Sequence, residues 1–206
     1  MQLAFTQLLE HQTLPKPQGA SNEIAYTFAF GGSNPIGNWV YALVAPFSTV
    51  IEQVSFDWIQ NLWQGKPEDA ISTLLISEND LPALTSIMGE PGETVWTLPK
   101  EQVLETAWTA QKTWAIIPFE EIKPRWKVIA IESQSPIHKD FDRDLYPLNV
   151  PISLSPVEPD ENFSHPPELA DLYFTNLNSS KITTVMLTGV TALVRSTAAA
   201  MERQGI

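Results

Sequence analysis

The chain has 206 residues, of which 43% are hydrophobic, so it can bury a sizeable core and belongs to the globular class. Its 24 acidic and 12 basic residues give a net charge of −12, which makes nucleic acid and anionic membrane surfaces poor partners. Cysteine is absent, which excludes disulfides, thiolate catalysis and cysteine metal sites. No run of roughly 18 apolar residues is present, so the sequence predicts no membrane span.

The first part of the chain predicts a weakly structured start followed by two strands. Residues 1–23 are weakly patterned and contain the breakers Pro15, Pro17 and Gly19. Residues 24–30 alternate with β character, and residues 31–35 form a loop. Residues 39–46 (WVYALVAP) are a continuous apolar run, which is typical of a strand covered on both faces.

Helices and strands then alternate regularly as far as residue 131. Helices are predicted after the N-cap Ser55, after the N-cap Asn79 and from Pro99, as the first helical residue. The intervening strands are predicted at residues 71–77, 94–98, 114–118 and 126–131. This alternation implies parallel pairing through right-handed crossovers. The predicted fold class is therefore α/β, with one open, mostly parallel sheet and helices on both faces.

The composition changes near residue 147, where prolines and acidic residues become frequent. We interpret residues 156–180 as a Pro-rich acidic linker. Beyond it, a strand at residues 182–187 and a helix at residues 191–204 predict an incomplete β-α unit. The predicted division is thus a weakly structured start at 1–23, an α/β domain at 24–155, the linker at 156–180, and a second, incomplete unit at 181–206. Both ends of the chain are abrupt, and we expect it to be part of a longer protein.

No pattern of catalytic or metal-binding residues stands out. His11, His138 and His165 lie far apart, without the short spacings that mark a metal site. The sequence contains no nucleophile elbow and no phosphate-binding glycine loop. Glu120 and Glu121 are adjacent, and we expect them to point apart on a turn. We therefore predict no catalytic residues, no metal and no cofactor.

Candidate binding residues follow from the architecture. Ligands of open α/β sheets bind beyond the carboxyl ends of the strands, where helix N-termini present free amides. The loops in question follow the strands at 39–46 and 71–77. The predicted ligand-binding side chains, all short and hydrogen-bonding, are Ser48, Thr49, Ser77 and Asn79. A second interpretation stays open for Ser77 and Asn79, which could serve only to cap the next helix.

A basic cluster has two interpretations. Five of the twelve basic residues lie between positions 123 and 143. We favour a solvent-exposed face, and the alternative is a site for a small anion.

Three segments carry a resemblance to a known family. Residues 41–67 resemble type 2 periplasmic substrate-binding proteins of the phosphate-binding kind, in which an apolar crossover strand precedes positions that correspond here to Val54, Trp58, Leu62 and Gly65. Residues 114–136 and 144–154 (DLYPLNVPISL) resemble two later segments of that family. The resemblance implies a substrate-binding-protein-like fold that holds a small anion or a polymer end. The family's Ser-Gly-Thr phosphate loop is missing here, and ISEND (76–80) stands about where it would fall.

The last segment carries a second resemblance. Residues 183–206 (TTVMLTGVTALVRSTAAAMERQGI) resemble the start of a CapA-type domain, from the poly-γ-glutamate capsule synthesis family. In the subgroup concerned, a binding-protein-like region precedes a metallophosphatase-like fold. Val190 follows Gly189 where the family has its first metal ligand, an aspartate. The resemblance implies an extracytoplasmic protein whose signal is not in this chain and whose downstream domain is a partner of this one.

Two functional hypotheses follow. The leading one is a non-catalytic ligand-binding or accessory domain of a CapA-like capsule synthesis protein. The alternative is the N-terminal part of a metallophosphatase-like hydrolase or capsule-synthesis enzyme whose active site lies outside this chain. A scaffold that binds no ligand and only docks its neighbour is the third possibility.

Overall fold

A computed structural model describes residues 26–32, 35–156, 173–185 and 202–203. The predicted start at 1–23 and most of the predicted helix at 191–204 lie outside these ranges. Within them, no helix is long and apolar enough to cross a membrane.

Ten strands and three α-helices have bounds within the described residues, and residues 202–203 are also helical. The strands are β1 (Tyr26–Phe30), β2 (Pro35–Pro46), β3 (Gln53–Val54), β4 (Thr73–Ser77), β5 (Val95–Leu98), β6 (Thr113–Pro118), β7 (Trp126–Val128), β8 (Ala130–Ile131), β9 (Asn149–Pro156) and β10 (Phe174–Thr175). The helices are α1 (Phe56–Trp63), α2 (Leu81–Met88) and α3 (Lys100–Thr109). Two 3-10 turns lie at Phe119–Glu121 and Ser179–Lys181.

The main sheet joins a parallel half to an antiparallel half. Its order is β1-β9-β2-β6-β4-β5, and β7 and β10 also pair with β2. The strands β6, β4 and β5 are parallel, as the sequence predicts. In contrast, β2 runs antiparallel to β6, β7 and β9. The predicted α/β class is confirmed, and the parallel pairing holds for strands joined directly through a helix. The rule of right-handed crossovers applies to parallel strands joined by one connection. It does not set the direction of β2, because the antiparallel neighbours of β2 are distant in the chain.

Helices cover both faces of the sheet, as predicted. Ile59 of α1 and Leu84 of α2 belong to one core, and Val103 and Ala107 of α3 belong to the other. The chain passes from β4 through α2 to β5, then returns through α3 to β6 on the far side of β4. Because crossovers between parallel strands are right-handed, this change of direction places α2 and α3 on opposite faces.

Strand β2 is buried on both faces, which confirms the interpretation of its apolar run. Residues 36–45 are all buried. Tyr41 and Leu43 belong to the first core, whereas Ala42 and Val44 belong to the second. A strand covered on both sides needs apolar side chains at every position, so the two-residue alternation disappears.

One predicted helix cap is confirmed and one is wrong. The Ser55 hydroxyl accepts the Trp58 N–H at 3.2 Å and begins α1. Helix α2 begins after Asp80 instead of Asn79, and the Asp80 side chain makes no capping hydrogen bond. The difference arises because a turn closes first: the Asp80 N–H donates to the Ser77 carbonyl at 2.9 Å. That turn moves the start of the helix one residue along the chain.

The end of the predicted linker packs against the sheet. Phe174 and Thr175 pair in parallel with Gly37 and Asn38 of β2, and Leu177 is buried. Residues 182–185 have no regular structure, so the predicted strand at 182–187 is wrong for its described part. They directly follow a 3-10 turn at Ser179–Lys181 and belong to no ladder.

Replacing Gly37 with alanine is expected to lift β10 off β2. A Cβ at this position would lie 2.8 Å from Phe174 Cβ and closer still to the Phe174 carbonyl oxygen. We expect the free energy of unfolding to fall by about 1–3 kcal/mol in urea denaturation. Amide hydrogen exchange at residues 174–177 should also accelerate. Gly31→Ala is the control, because its Cβ would meet nothing within 4 Å and adds only the strain of φ +80°. Unchanged exchange at residues 174–177 in G37A would contradict the close packing.

Candidate functional site

Three loops converge at the carboxyl ends of the parallel strands. They follow β4, β5 and β6, and between them lies a pocket of about 340 Å³. This pocket, the rim pocket below, is lined by Trp39, Ser77, Glu78, Asn79, Asp80, Pro99, Lys100, Glu101, Pro118, Glu120 and Glu121. The loops after β4 and β5 leave toward opposite faces of the sheet, and such a divergence opens a crevice at this edge. The topology thus creates a concave site where the strands end.

Asp80 is the most deeply buried carboxylate among the described residues that line the rim pocket, with 5% of its surface exposed. The Tyr41 hydroxyl donates to Asp80 Oδ1 at 3.2 Å, and the Ser77 hydroxyl also hydrogen-bonds this side chain. Burial, followed by the charge of Glu121, raises the pKa of Asp80 to about 6. Burial and the charge of Asp80 also raise the pKa of Tyr41. Tyr41 therefore stays a neutral hydrogen-bond donor while Asp80 titrates near neutrality.

Glu120 and Glu121 take different partners, as expected for neighbours on a turn, yet both line the rim pocket. Glu121 forms an ion pair with Lys100 in the first turn of α3. Its hydrogen bond and charge raise the pKa of Lys100. Burial raises the pKa of Glu120, and the charges of Glu121 and Asp80 raise it further. The charges of the other carboxylates thus contribute to the raised pKa values of both Asp80 and Glu120.

Asn176 ties the C-terminal segment to this carboxylate group. Its Nδ2 donates to Glu120 Oε2 at 2.5 Å and to the Val40 carbonyl at 2.9 Å. Its Oδ1 accepts the Val40 N–H at 2.8 Å. The side-chain amide thus pairs with β2 as a backbone amide would, just beyond the end of β10. This arrangement fixes Glu120 relative to the sheet.

The lining of the rim pocket is strongly acidic. Its described residues contribute five carboxylates and the single ammonium of Lys100. No group of three or more His, Asp or Glu side chains in the described ranges is arranged to hold a metal ion. No histidine is among the described lining residues either. The pocket therefore offers hydrogen-bond acceptors and negative charge, and favours ligands that present donors or positive charge.

The predicted ligand-binding residues do not lie together. Ser77 and Asn79 line the rim pocket, and the Asn79 N–H donates to Ser77 Oγ at 3.2 Å. Ser48 and Thr49 line a different pocket of about 440 Å³, together with Thr113 at the start of β6. The two pairs lie at opposite ends of the strands. Strand β2 runs antiparallel to β6, so the carboxyl end of β2 lies beside the amino end of β6. That Ser77 and Asn79 bind the ligand remains a prediction.

Much of the basic cluster has structural partners. Lys127 Nζ donates to the Thr49 carbonyl at 2.7 Å and to Glu52 at 2.6 Å. Arg125 forms an ion pair with Glu105 and lies 4.5 Å from the centre of the Trp108 ring. The Arg125 side chain is 44% exposed, as the favoured solvent-exposed face predicts, whereas the Lys127 side chain is only 15% exposed and does not fit that interpretation.

Sequence reasoning missed most residues of the site and its supporting contacts, among them Tyr41, Asp80, Lys100, Glu120, Glu121 and Asn176. A signal existed for Asp80 and Glu120, since both follow strands whose carboxyl ends meet at one edge. Tyr41 lay hidden within an apolar run, and Asn176 within the predicted linker. Neither has a local pattern that distinguishes it from core or loop.

Comparison with known proteins gives similarities of fold at low identity. No family model matches the chain, and no curated protein matches it. An ABC-type phosphate transport receptor from Vibrio cholerae is 12% identical with a TM-score of 0.49, over 63% of this chain and 59% of that one. A putative phosphate ABC transporter substrate-binding protein from Clostridium perfringens is 11% identical with a TM-score of 0.43, over 52% and 56% of the two chains. A possible phosphate binding protein from Planctomyces limnophilus is 9% identical with a TM-score of 0.46, over 64% and 55%. This chain thus spans between 55% and 59% of the three, and similarity at this level assigns neither a family nor a ligand.

Asp80→Asn is expected to remove a decrease in the free energy of unfolding that the wild type shows as pH rises. The pKa of Asp80 is about 6 in the folded state, against 3.8 for a free side chain, so the folded protein binds this proton more tightly than the unfolded chain does. The wild type should therefore lose stability relative to D80N as pH rises from about 4 to 6, and regain none above that. At 1.36 kcal/mol per unit the difference is on the order of 2–3 kcal/mol. Urea denaturation from pH 4 to 8 measures it, and Glu78→Gln, on the exposed part of the same loop, is the control. A difference between D80N and wild type that does not change with pH would contradict the assignment.

Asn176→Ala is expected to raise the pKa of Glu120 further. The Asn176 hydrogen bond favours the ionised carboxylate, so its loss favours the proton. A ¹³C NMR titration of the side-chain carboxyl groups would measure the change. Tyr173→Phe is the matched control, because it removes the 2.6 Å bond from Tyr173 to Asn38 on the same segment and leaves Asn176 in place. An equal shift in both variants would indicate general loosening of the segment and no specific role for Asn176.

Proposed function

We propose that this chain is a non-catalytic ligand-binding domain whose site is the rim pocket. The observation that supports this most directly is the pocket itself, formed by three convergent loops where an α/β sheet binds ligands. Its side chains are held by hydrogen bonds from Tyr41 and Asn176 and by the Lys100–Glu121 ion pair. Such pre-organisation lowers the entropy that a ligand loses on binding, and this favours recognition.

The charge of the lining favours a ligand that donates hydrogen bonds or carries positive charge. Asp80, Glu120 and Glu121 surround the pocket with acceptors, and Lys100 offsets one of them. An anion would meet repulsion from the ionised carboxylates, whereas an ammonium group or a polyol would satisfy them. A donor-rich small molecule is therefore the ligand class that we propose.

A small anion or a polymer end is the second candidate, and one observation favours it. Asp80 has a pKa of about 6, so below that pH its neutral carboxyl group becomes a hydrogen-bond donor. Lys100, if released from Glu121, would supply the positive charge. This candidate also agrees with the resemblance of residues 41–67, 114–136 and 144–154 to phosphate-type substrate-binding proteins.

The wider context is proposed from resemblance alone. A substrate-binding-protein-like domain would lie outside the cytoplasm, and residues 183–206 would connect it to a CapA-like neighbour. In the alternative, the neighbour is a metallophosphatase-like hydrolase that carries the chemistry. Sequencing the reading frame on both sides tests this context. A secretion signal upstream and a His- and Asp-rich domain downstream would support it, whereas a frame with neither would exclude both versions.

The pH dependence of binding is expected to separate the two ligand classes. Ethylammonium and sulfate both keep a constant charge between pH 5 and pH 8. Ethylammonium should bind roughly five- to tenfold more tightly at pH 8 than at pH 5, because Asp80 must be ionised to hold it. Sulfate should bind more tightly at pH 5 than at pH 8. Isothermal titration calorimetry at low ionic strength, extended to phosphate, glutamate, short polyglutamate and glycerol, is the measurement. Asp80→Asn should abolish the pH dependence for both ions. Absence of binding by every one of these compounds would contradict the ligand-binding proposal.

A further inference from the structure

A second compartment lies on the other side of the same rim. It has a volume of about 250 Å³ and faces the core formed by α3. Its floor is apolar and consists of Val103, Leu104, Ile117 and Trp126. Leu104 is partly exposed and the other three floor residues are buried. The floor differs from the polar lining of the rim pocket, although Lys123 and carboxylates that also line the rim pocket surround it.

The two compartments meet at the Lys100–Glu121 ion pair. Both are lined by the same five residues: Ser77, Lys100, Glu101, Glu120 and Glu121. The remaining residues of each come from opposite faces of the sheet, with Trp39 and Asp80 on one side and Leu104 and Trp126 on the other. The rim pocket, at about 340 Å³, lies near the lower end of the range of about 300–1,000 Å³ that small-molecule sites occupy, and the second compartment, at about 250 Å³, lies below it. The two compartments adjoin at the rim, so a ligand that displaced Lys100 could reach from the acidic one to the apolar floor of the other.

Resting on the proposed function, we propose that the ligand is a primary amine with an apolar arm, and that Lys100 holds the place of its ammonium group. The ligand's ammonium binds Glu121 beside Asp80 and Glu120, and its arm crosses the rim onto the apolar floor. Lys100 then moves into solvent. The resident ion pair already shows that an ammonium group fits at this position among the carboxylates.

Replacing the Lys100 ammonium with the ligand's ammonium costs little free energy, because Lys100 and Glu121 differ in burial. The Lys100 side chain is 51% exposed, whereas the Glu121 side chain is 19% exposed. The protein loses little stability when Lys100 returns to water, since an exposed ion pair contributes little. Glu121 keeps a cationic partner throughout, so no unpaired carboxylate is left half-buried. The apolar arm supplies the binding energy that a simple exchange of cations lacks.

The test compares three probes: ethylamine, hexylamine and hexanol. Each buried methylene group contributes about 0.8 kcal/mol, close to fourfold in affinity, so hexylamine should bind at least roughly tenfold more tightly than ethylamine. Hexanol, which lacks the charge, should bind more weakly than hexylamine. Isothermal titration calorimetry of the full chain at pH 8 and low salt measures all three.

Two variants test the two compartments. Lys100→Gln should strengthen hexylamine binding several-fold, because the resident competitor is gone, and this sign is opposite to that expected if Lys100 bound an anionic ligand. Leu104→Gln places a polar group on the apolar floor and should reduce the hexylamine-to-ethylamine affinity ratio toward one. Val50→Gln is the control, since Val50 is 87% exposed and lines the pocket at the other edge of the sheet. It should change neither affinity.

The outcomes separate this inference from the proposed function. Ethylamine binding without any gain for hexylamine would overturn the inference and leave the binding function intact. Weaker hexylamine binding in Lys100→Gln would overturn the role of Lys100 as a placeholder. If ethylamine, hexylamine and hexanol all fail to bind but sulfate binds, and Lys100→Gln abolishes sulfate binding, the site binds anions and the amine ligand is excluded. Failure of amines, sulfate and all other probes alike would overturn the proposed function itself.

Discussion

The burial of β2 on both faces is the constraint on which the rest of the structure depends. This strand pairs with β6, β7, β9 and β10, and thereby joins the parallel half of the sheet to the antiparallel half. Its side chains contribute to both cores, so a polar residue along residues 39–45 has to find a partner inside the protein. Tyr41 does so by donating to Asp80 at the rim. The central strand therefore provides both the packing and one of the contacts that hold the site.

The acidic site is stable because each carboxylate is offset in a different way. Asp80 accepts a hydrogen bond from Tyr41 and retains its proton to higher pH than usual. Glu121 has an ion pair with Lys100, and Glu120 accepts the Asn176 amide. Clustered like charges raise one another's pKa values, which reduces repulsion by partial protonation. The same balance makes the cluster sensitive to pH and to any cation that enters it.

The C-terminal segment completes the site from a great distance in sequence. Asn176 reaches Val40 across 136 residues and fixes Glu120 at the same time. The close approach of β10 to β2 requires the absence of a side chain at Gly37. Because one side chain serves both the pairing and the carboxylate, a displacement of residues 173–177 would be transmitted to the pocket. This coupling joins the rim pocket to residues 173–177.

The elements with strong local signals could be predicted from the sequence. The alternation of residues 55–131 determined α1, α2, α3 and the parallel strands between them, because periodicity and capping are short-range properties. The Ser55 cap is one such case. The buried character of β2 also followed from its composition. These signals predicted a candidate site at the ends of strands, and Ser77 and Asn79 line the rim pocket, where their binding of a ligand stays a prediction.

The tertiary structure alone decided the direction of β2 and the membership of the site. The neighbours of β2 in the sheet are distant in the chain, so no local pattern records whether it runs parallel or antiparallel to them. Its antiparallel direction separates Ser48 and Thr49 from Ser77 and Asn79. Tyr41 and Asn176 joined the site for the same reason, since their partners depend on strand pairing and not on neighbouring residues. The sequence by itself determined the elements and their faces through short-range periodicity, and long-range pairing determined which side chains meet.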